Sequence, residues 1–304
     1  MCRILSYLGK PILVEELLYK PDNSFIKQSY HPKYMSHLLN LAGFGIAAWD
    51  NTSHNSRFPH VYKTPQLPFY DENLKNFSSK ISPHCLLAHL RGVSYHDRQI
   101  ISNQNVHPFV FPHSNVVLAH NGSLSNFAAM RYDLLEFVKP EYWKDITGTT
   151  DSEWIYAVFL SQLSTSVGNY ETEEITKAVI ETLKILQRVR AKRNIKINSP
   201  VNLFLSNGEF IAATRFVLDY GWYSEAQTEA HSGYHSLWYT YGDSYGFYDN
   251  EYKMKGGSVK SSIIIASEPL TEDTTTWLEV PEYTLVIASH VDNEIKIVSQ
   301  DIDI

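Results

Sequence analysis

Cys2 is the side chain in this 304-residue sequence best suited to act as a nucleophile. A cysteine nucleophile needs thiolate character, a base to take its proton and donors for the oxyanion that attack creates. Removal of Met1 would supply the base, because a free α-amino group with a reference pKa of about 7.7 to 8.0 exchanges protons at neutral pH. Cysteine is small enough to permit that trimming. Any chain can carry cysteine at position 2, however, so the weight falls on what else is present.

Four other stretches hold groups that could serve such chemistry. "AHLRGVS" sets Arg91 and Ser94 at the end of a buried strand, where loops present functional groups, and "NVHPF" sets His107 just before a proline. "GTTDSE" puts Asp151 at a helix start, and "SNVVLAHNGSLSNF" ends an apolar run on Asn121 and Gly122. Each has an ordinary reading: a surface salt bridge for Arg91, a helix-dipole partner for Asp151, a hairpin turn for Asn-Gly. The hairpin reading needs a second strand at once. Instead Phe127, Met130, Leu134 and Phe137 follow at helical spacing, with Ser125 placed to cap the start and Pro140 past the end. A bend from strand to helix can leave backbone N–H groups and an amide side chain aimed at a ligand. His84, His89, His107, His113 and His120 lack the tight spacing of zinc ligands, so no metal site is assigned.

The elements that must position these groups are readable from hydrophobic periodicity. A helix is expected over 11–20, opened by Pro11, then a strand at "GFGIAAWD", a polar stretch over 51–83, and buried strands at "HCLLAHLRGVS" and "NVVLAH". Helices are expected over 150–163, with Thr150 and Glu153 as a capping box, and over 173–190. "VNLFLSNGEFIAATRF" reads as a hairpin with a type I′ turn at Asn207-Gly208, and "SSIIIASEP", "YTLVIAS" and "EIKIVS" supply further strands. Strands at both ends with helices between them suggest two sheets sharing helix layers, an α+β architecture. The stretch over 219–252 holds eight of the twenty tyrosines, a density that suits either a binding surface or strand packing.

With 43% hydrophobic residues the chain can bury a substantial core, and a formal net charge of −7 argues against a nucleic-acid or anionic-membrane partner. The basic run over 187–196 closes a helical pattern and complements its dipole. Two cysteines make no disulfide framework, and Cys85 sits in an apolar run as a small buried thiol would. Neither a signal peptide nor an apolar membrane span is evident, and a cytoplasmic location is expected.

Taken in order, "MCRILSYLGKP", "GFGIA", "AHLRGVS", "NVHPF", "AHNGSLSNF" and "GTTDSE" resemble the class II glutamine amidotransferases, the N-terminal-nucleophile group. More narrowly, "SNFAAMRYDLLEFVKPEYW" and "IIIASEPLTEDTTTWLEVP" resemble stand-alone members that cleave γ-glutamyl amide bonds, the type of the fungal Dug complex for glutathione breakdown and of ergothioneine biosynthesis. The resemblance implies a four-layer αββα sandwich over 2–304 as a single domain, with a Tyr-rich insertion at 219–252. It implies that Cys2 is the nucleophile with its freed amine as base, and that the Asn121 side chain and the Gly122 N–H form the oxyanion hole. Arg91 would hold the glutamyl α-carboxylate, Asp151 the α-ammonium, and Ser94 and His107 would line and order the pocket. No metal or organic cofactor is expected. The expected reaction is hydrolysis of a γ-glutamyl peptide or conjugate through a γ-glutamyl thioester, releasing glutamate. A glutaminase feeding ammonia to a separate synthase, and an inactive binding protein retaining the fold, are the alternatives. The expected partners are a small-molecule γ-glutamyl substrate and a peptidase or synthase subunit. One departure stands out: "NLAGFG" over 40–45 replaces the family's usual Asn-Gly-Asp-Gly and lacks its acidic group.

Overall fold

A computed structural model describes residues 2–34, 39–93, 101–218, 236–292 and 294–304. The first third contains β1 (Arg3–Leu8), α1 (Val14–Leu18), β2 (Phe44–Trp49), β3 (His60–Thr64), α2 (Glu72–Ser78) and β4 (Cys85–Leu90). Next come β5 (Val117–Gly122), α3 (Phe127–Leu134), α4 (Pro140–Trp143), α5 (Asp151–Gln162) and α6 (Thr172–Lys192). The rest is strand-rich: β6 (Ser199–Ser206), β7 (Phe210–Arg215), β8 (Val217–Leu218), β9 (Trp238–Gly242), β10 (Ser244–Tyr248), β11 (Glu251–Lys255), β12 (Ser262–Ala266), β13 (Leu278–Glu279), β14 (Thr284–Val291) and β15 (Glu294–Asp301).

Among the described residues, seven strands form one sheet in the order β13-β9-β12-β1-β4-β2-β3, and six form a second main path, β15-β14-β7-β6-β5 with β8 beside β6. Strand side chains alternate between faces, so each sheet offers two apolar surfaces, and three separate cores follow. Leu5, Tyr7, Ile46, Leu86 and Ile264 pack beneath α1 and α2 on the outside of the first sheet. Ile4, Leu8, Ala47, Leu87, Val117, Ala119, Phe204 and Ile265 fill the space between the sheets. Leu118, Leu203 and Leu205 meet α5 and α6 on the outside of the second. The layers are therefore helix, sheet, sheet, helix, the expected αββα sandwich.

Local expectations fare unevenly. The helix expected over 11–20 shortens to Val14–Leu18, because the N–H groups of Ile12 and Val14 donate to Pro83 and Ile81 carbonyls instead. The polar stretch over 51–83 contains the strand β3 and the helix α2. The Asn207-Gly208 turn is not type I′: positive φ occurs at Gly208 and not at Asn207. Asn207 Oδ1 accepts the N–H groups of Glu209 and Phe210, an Asx-turn that widens the loop. Ser125 does not cap α3 either. Its hydroxyl donates to Asn198 O, and left-handed Asn126 precedes the helix. Thr150 does cap α5 by accepting from Glu153 N, but the Glu153 carboxylate does not close the box and instead accepts from Thr147 and Gly148 N–H. Within the tyrosine-rich stretch, Tyr239, Tyr241, Tyr245 and Tyr252 pack against the cores, so strand packing accounts for these four. Residues 219–235 of that stretch lie outside the described residues.

Gly45 shows how closely the layers approach. A Cβ there would lie 1.9 Å from the His107 carbonyl oxygen. We expect Gly45→Ala to cost about 1–3 kcal/mol by overpacking, read as a lowered urea midpoint with unchanged m-value.

Candidate active site

Strand parity aims the central groups at each other. Cys2 precedes β1 on the face of Ile4 and Leu8, and Asn121 in β5 shares the face of Val117 and Ala119, so each looks across the gap between sheets. The Cys2 N–H donates to Asn121 Oδ1 at 3.1 Å. That bond fixes the amide orientation and turns Nδ2 the other way, where no protein acceptor meets it among the described residues. The thiol sits between the carbonyl and the amide of one residue: Sγ is 3.7 Å from Gly92 O and 3.5 Å from Gly92 N. Cys2 is 7% exposed and Asn121 1% exposed, so the pair is nearly closed off from bulk water.

Gly122 ends β5 opposite Val201. A Cβ at this position would strike Pro200 O at 1.9 Å and His120 Nε2 at 2.5 Å, so glycine is what lets β5 and β6 close beside the site. Arg91 follows β4 on the same face as Leu87, and its backbone is held by Gly43 O and Ala42 N. Burial pushes the Arg91 pKa down, and the neighbouring Cys2 and Asp151 side chains oppose the shift. Ala42 is thus tied directly to the Arg91 backbone.

Asp151 opens α5 and reaches back across the bend. Its Oδ2 accepts the Leu124 N–H at 2.5 Å and its Oδ1 accepts the Ser152 hydroxyl at 3.1 Å. Ser152 Oγ also contacts His120 Nδ1 at 2.9 Å, and His120 Nε2 lies 3.3 Å from Pro200 O. One network therefore joins the residue before Asn121 to the helix that carries Asp151. His107 lies deeper. Its Nδ1 is 2.7 Å from His89 Nε2, and its ring packs edge-on against His89 and Phe109. It supports the region under Arg91, and Ser94 lies outside the described residues.

Several supporting groups were not singled out from sequence as site residues. His89 could have been found, since it is two residues before Arg91 on a strand and must share its face. Gly92, Ser152 and Leu124 act through backbone atoms or a small hydroxyl and carry no such signal. Among the described residues, no group of three or more His, Cys, Asp or Glu converges as metal ligands would, and no helix is long and apolar enough to cross a membrane.

Two outcomes follow from the electrostatics. Burial pushes the Cys85 thiol up to about 12, so alkylation of native protein should modify Cys2 and spare Cys85 until denaturant is added, as read by peptide mass. Burial also holds His89 and His107 neutral, with pKa values well below the ordinary value of 6.5. The unfolded chain takes up protons at these rings as pH falls through about 6.5 while the folded chain does not, so stability is present above that pH and lost below it. The urea midpoint should fall between pH 7.5 and pH 5, and His107→Gln should shrink that fall.

The family model described as class-II glutamine amidotransferases matches residues 24–223. The chain is 28% identical over 304 aligned residues to the probable glutamine amidotransferase DUG3 of Saccharomyces cerevisiae, covering 94% of this chain and 81% of that protein. It is 29% identical over 123 residues to a gamma-glutamyl-hercynylcysteine sulfoxide hydrolase of Mycobacterium tuberculosis, covering 40% of this chain and 49% of that one. A glutamine aminotransferase class-II domain protein from Silicibacter pomeroyi superimposes with a TM-score of 0.61 at 16% identity, over 99% of both chains. The glutamine phosphoribosylpyrophosphate amidotransferase of B. subtilis gives a TM-score of 0.56 at 15% identity, covering 99% of this chain and 49% of that one. These structures share the fold of N-terminal-nucleophile amidotransferases, and the chain belongs to the enzymes of the class-II glutamine amidotransferase family.

Proposed function

We propose that this enzyme hydrolyses γ-glutamyl amide bonds with Cys2 as nucleophile, residues 2–304 acting as one catalytic domain. The observation that carries the reading is the bond from Cys2 N to Asn121 Oδ1, which holds a future amino terminus beside its own thiol and leaves an amide N–H₂ for the substrate. With Met1 removed, the α-amine keeps one N–H on Asn121 Oδ1 while its lone pair takes the proton from Sγ. The thiolate attacks the γ-carbonyl carbon, and the oxyanion receives hydrogen bonds from Asn121 Nδ2 and Gly122 N–H. Collapse breaks the C–N bond as the ammonium gives its proton to the departing amine, leaving a γ-glutamyl thioester. Water, deprotonated by the same amine, then releases glutamate and restores the thiol.

Arg91 and Asp151 suit the two charges of the glutamyl α-carbon. Arg91 offers a bidentate fork to carboxylate, and Asp151 retains lone pairs for an ammonium beyond those given to Leu124 and Ser152. Ser94 and His107 complete the proposed binding set. Substrate preference rests on the relatives: the probable glutamine amidotransferase DUG3 and a gamma-glutamyl-hercynylcysteine sulfoxide hydrolase both align with this chain. We assign γ-glutamyl peptides or conjugates, glutathione among them, ahead of free glutamine. The stretch over 219–252 is proposed to select the leaving amine or to dock a partner subunit.

Cys2→Ala should abolish glutamate release, and a permanent residue before Cys2 should do nearly the same without unfolding the protein. Asn121→Ala should lower kcat by roughly a hundred- to a thousandfold with little change in KM, because the donor acts mainly on the transition state. Arg91→Met and Asp151→Asn should chiefly raise KM. A panel of γ-glutamyl compounds read by glutamate release tests the substrate class. Faster turnover of glutamine than of every γ-glutamyl peptide would transfer the assignment to ammonia supply.

A further inference from the structure

We infer that Arg3 and Glu268 are positioning residues for the nucleophile, a role that rests on the assignment of Cys2 above. An N-terminal nucleophile is placed where chains fray most, and chemistry tolerates little displacement of the attacking atom. After loss of Met1, residue 2 has covalent restraint on one side only.

The structure supplies the missing restraint on the far side of β1. Arg3 points away from the gap between sheets and forms an ion pair with Glu268 just beyond β12, with both side chains at most 2% exposed. Arg3 Nη1 also donates to the Cys2 carbonyl oxygen at 3.2 Å. Glu268 Oε2 accepts the Lys33 N–H at 3.0 Å, so the carboxylate holds the 30–34 segment as well. Beside the pair, Ile4 N donates to Ser267 Oγ and Ser267 N to Ile4 O. Residue 2 is thereby gripped at its N–H by Asn121, at its thiol by Gly92 and at its carbonyl by Arg3.

A fully buried ion pair is a poor device for stability alone, since desolvating two charges offsets their attraction and a well-packed apolar pair often does as well. Burial lowers the Arg3 pKa, and Glu268 opposes that shift. What an apolar pair could not do is donate a hydrogen bond to the Cys2 carbonyl while remaining anchored to β12. The planar fork of arginine permits both contacts at once, which a lysine ammonium on a flexible stem does not.

The test compares Arg3→Met/Glu268→Met, which removes both charges together, with Arg3→Lys, which keeps the ion pair and loses the fork. Each is assayed for glutathione hydrolysis, thermal midpoint and the rate of Cys2 alkylation by iodoacetamide. Both variants should fold with KM within about twofold of the parent, while kcat falls about 10- to 100-fold, as for a misplaced nucleophile. Alkylation of Cys2 should slow in parallel. Unchanged kcat and unchanged alkylation in a folded paired variant would overturn the proposal. If the paired variant does not fold, Arg3→Lys decides: full kcat overturns the proposal and a reduced kcat with retained KM supports it. The alkylation arm reports on Cys2 whatever the substrate. A parent protein that hydrolyses no γ-glutamyl compound, with alkylation still dependent on Arg3, would therefore sink the assigned reaction and leave the positioning role standing.

Discussion

The contact on which the site depends is the hydrogen bond from Cys2 N to Asn121 Oδ1, because it spans the two sheets and sets the orientation of both partners. An amide side chain has one acceptor end and one donor end. Committing the acceptor to residue 2 leaves the donor for whatever lies over the thiol. Neither residue could do this from a loop of its own. Their approach requires that β1 and β5 face each other across a gap filled by Ile4, Val117, Ala119 and Ile265.

The polar groups of the site are arranged around that contact in the same physical terms. The inter-sheet layer is apolar through its middle and becomes polar at one end, where Arg91 follows β4 and β5 finishes with Asn121 and Gly122. His89 and His107 fill the space beneath Arg91 as neutral rings bonded to each other, which satisfies one polar atom of each without adding charge. Asp151 joins from the second helix layer, held by Leu124 and Ser152. Three of the four layers thus contribute different groups: the first sheet Cys2 and Arg91, the second sheet Asn121 and Gly122, and the α5 layer Asp151.

Much of this was legible in the sequence, and the reasons are specific. Apolar runs ending on Arg91 and on Asn121 and Gly122, and the helix-start pattern of "GTTDSE" at Asp151, marked the ends of elements, which is where these groups stand. The buried strands and the long helix α6 carried enough periodicity to be read directly. What escaped was decided by side chains competing for backbone groups. Asn207 captured two N–H groups and changed the turn, Ser125 bonded Asn198 in place of capping α3, and Glu153 turned to Thr147 and Gly148. The Arg3 to Glu268 pair joins opposite ends of the chain, and no local pattern announces such a contact.

The first sheet has a consequence for the order in which the site can assemble. β1 lies between β4 and β12, so its two neighbours in the sheet stand at very different separations from it along the chain. Cys2 faces β5, from the middle of the chain, while Arg3 beside it pairs with Glu268 just beyond β12. Contacts of such separation form slowly, since loop closure precedes any reward from pairing. A chain truncated before β12 lacks Glu268 and the strand that flanks β1, so the contacts that hold Arg3 beside residue 2 cannot form.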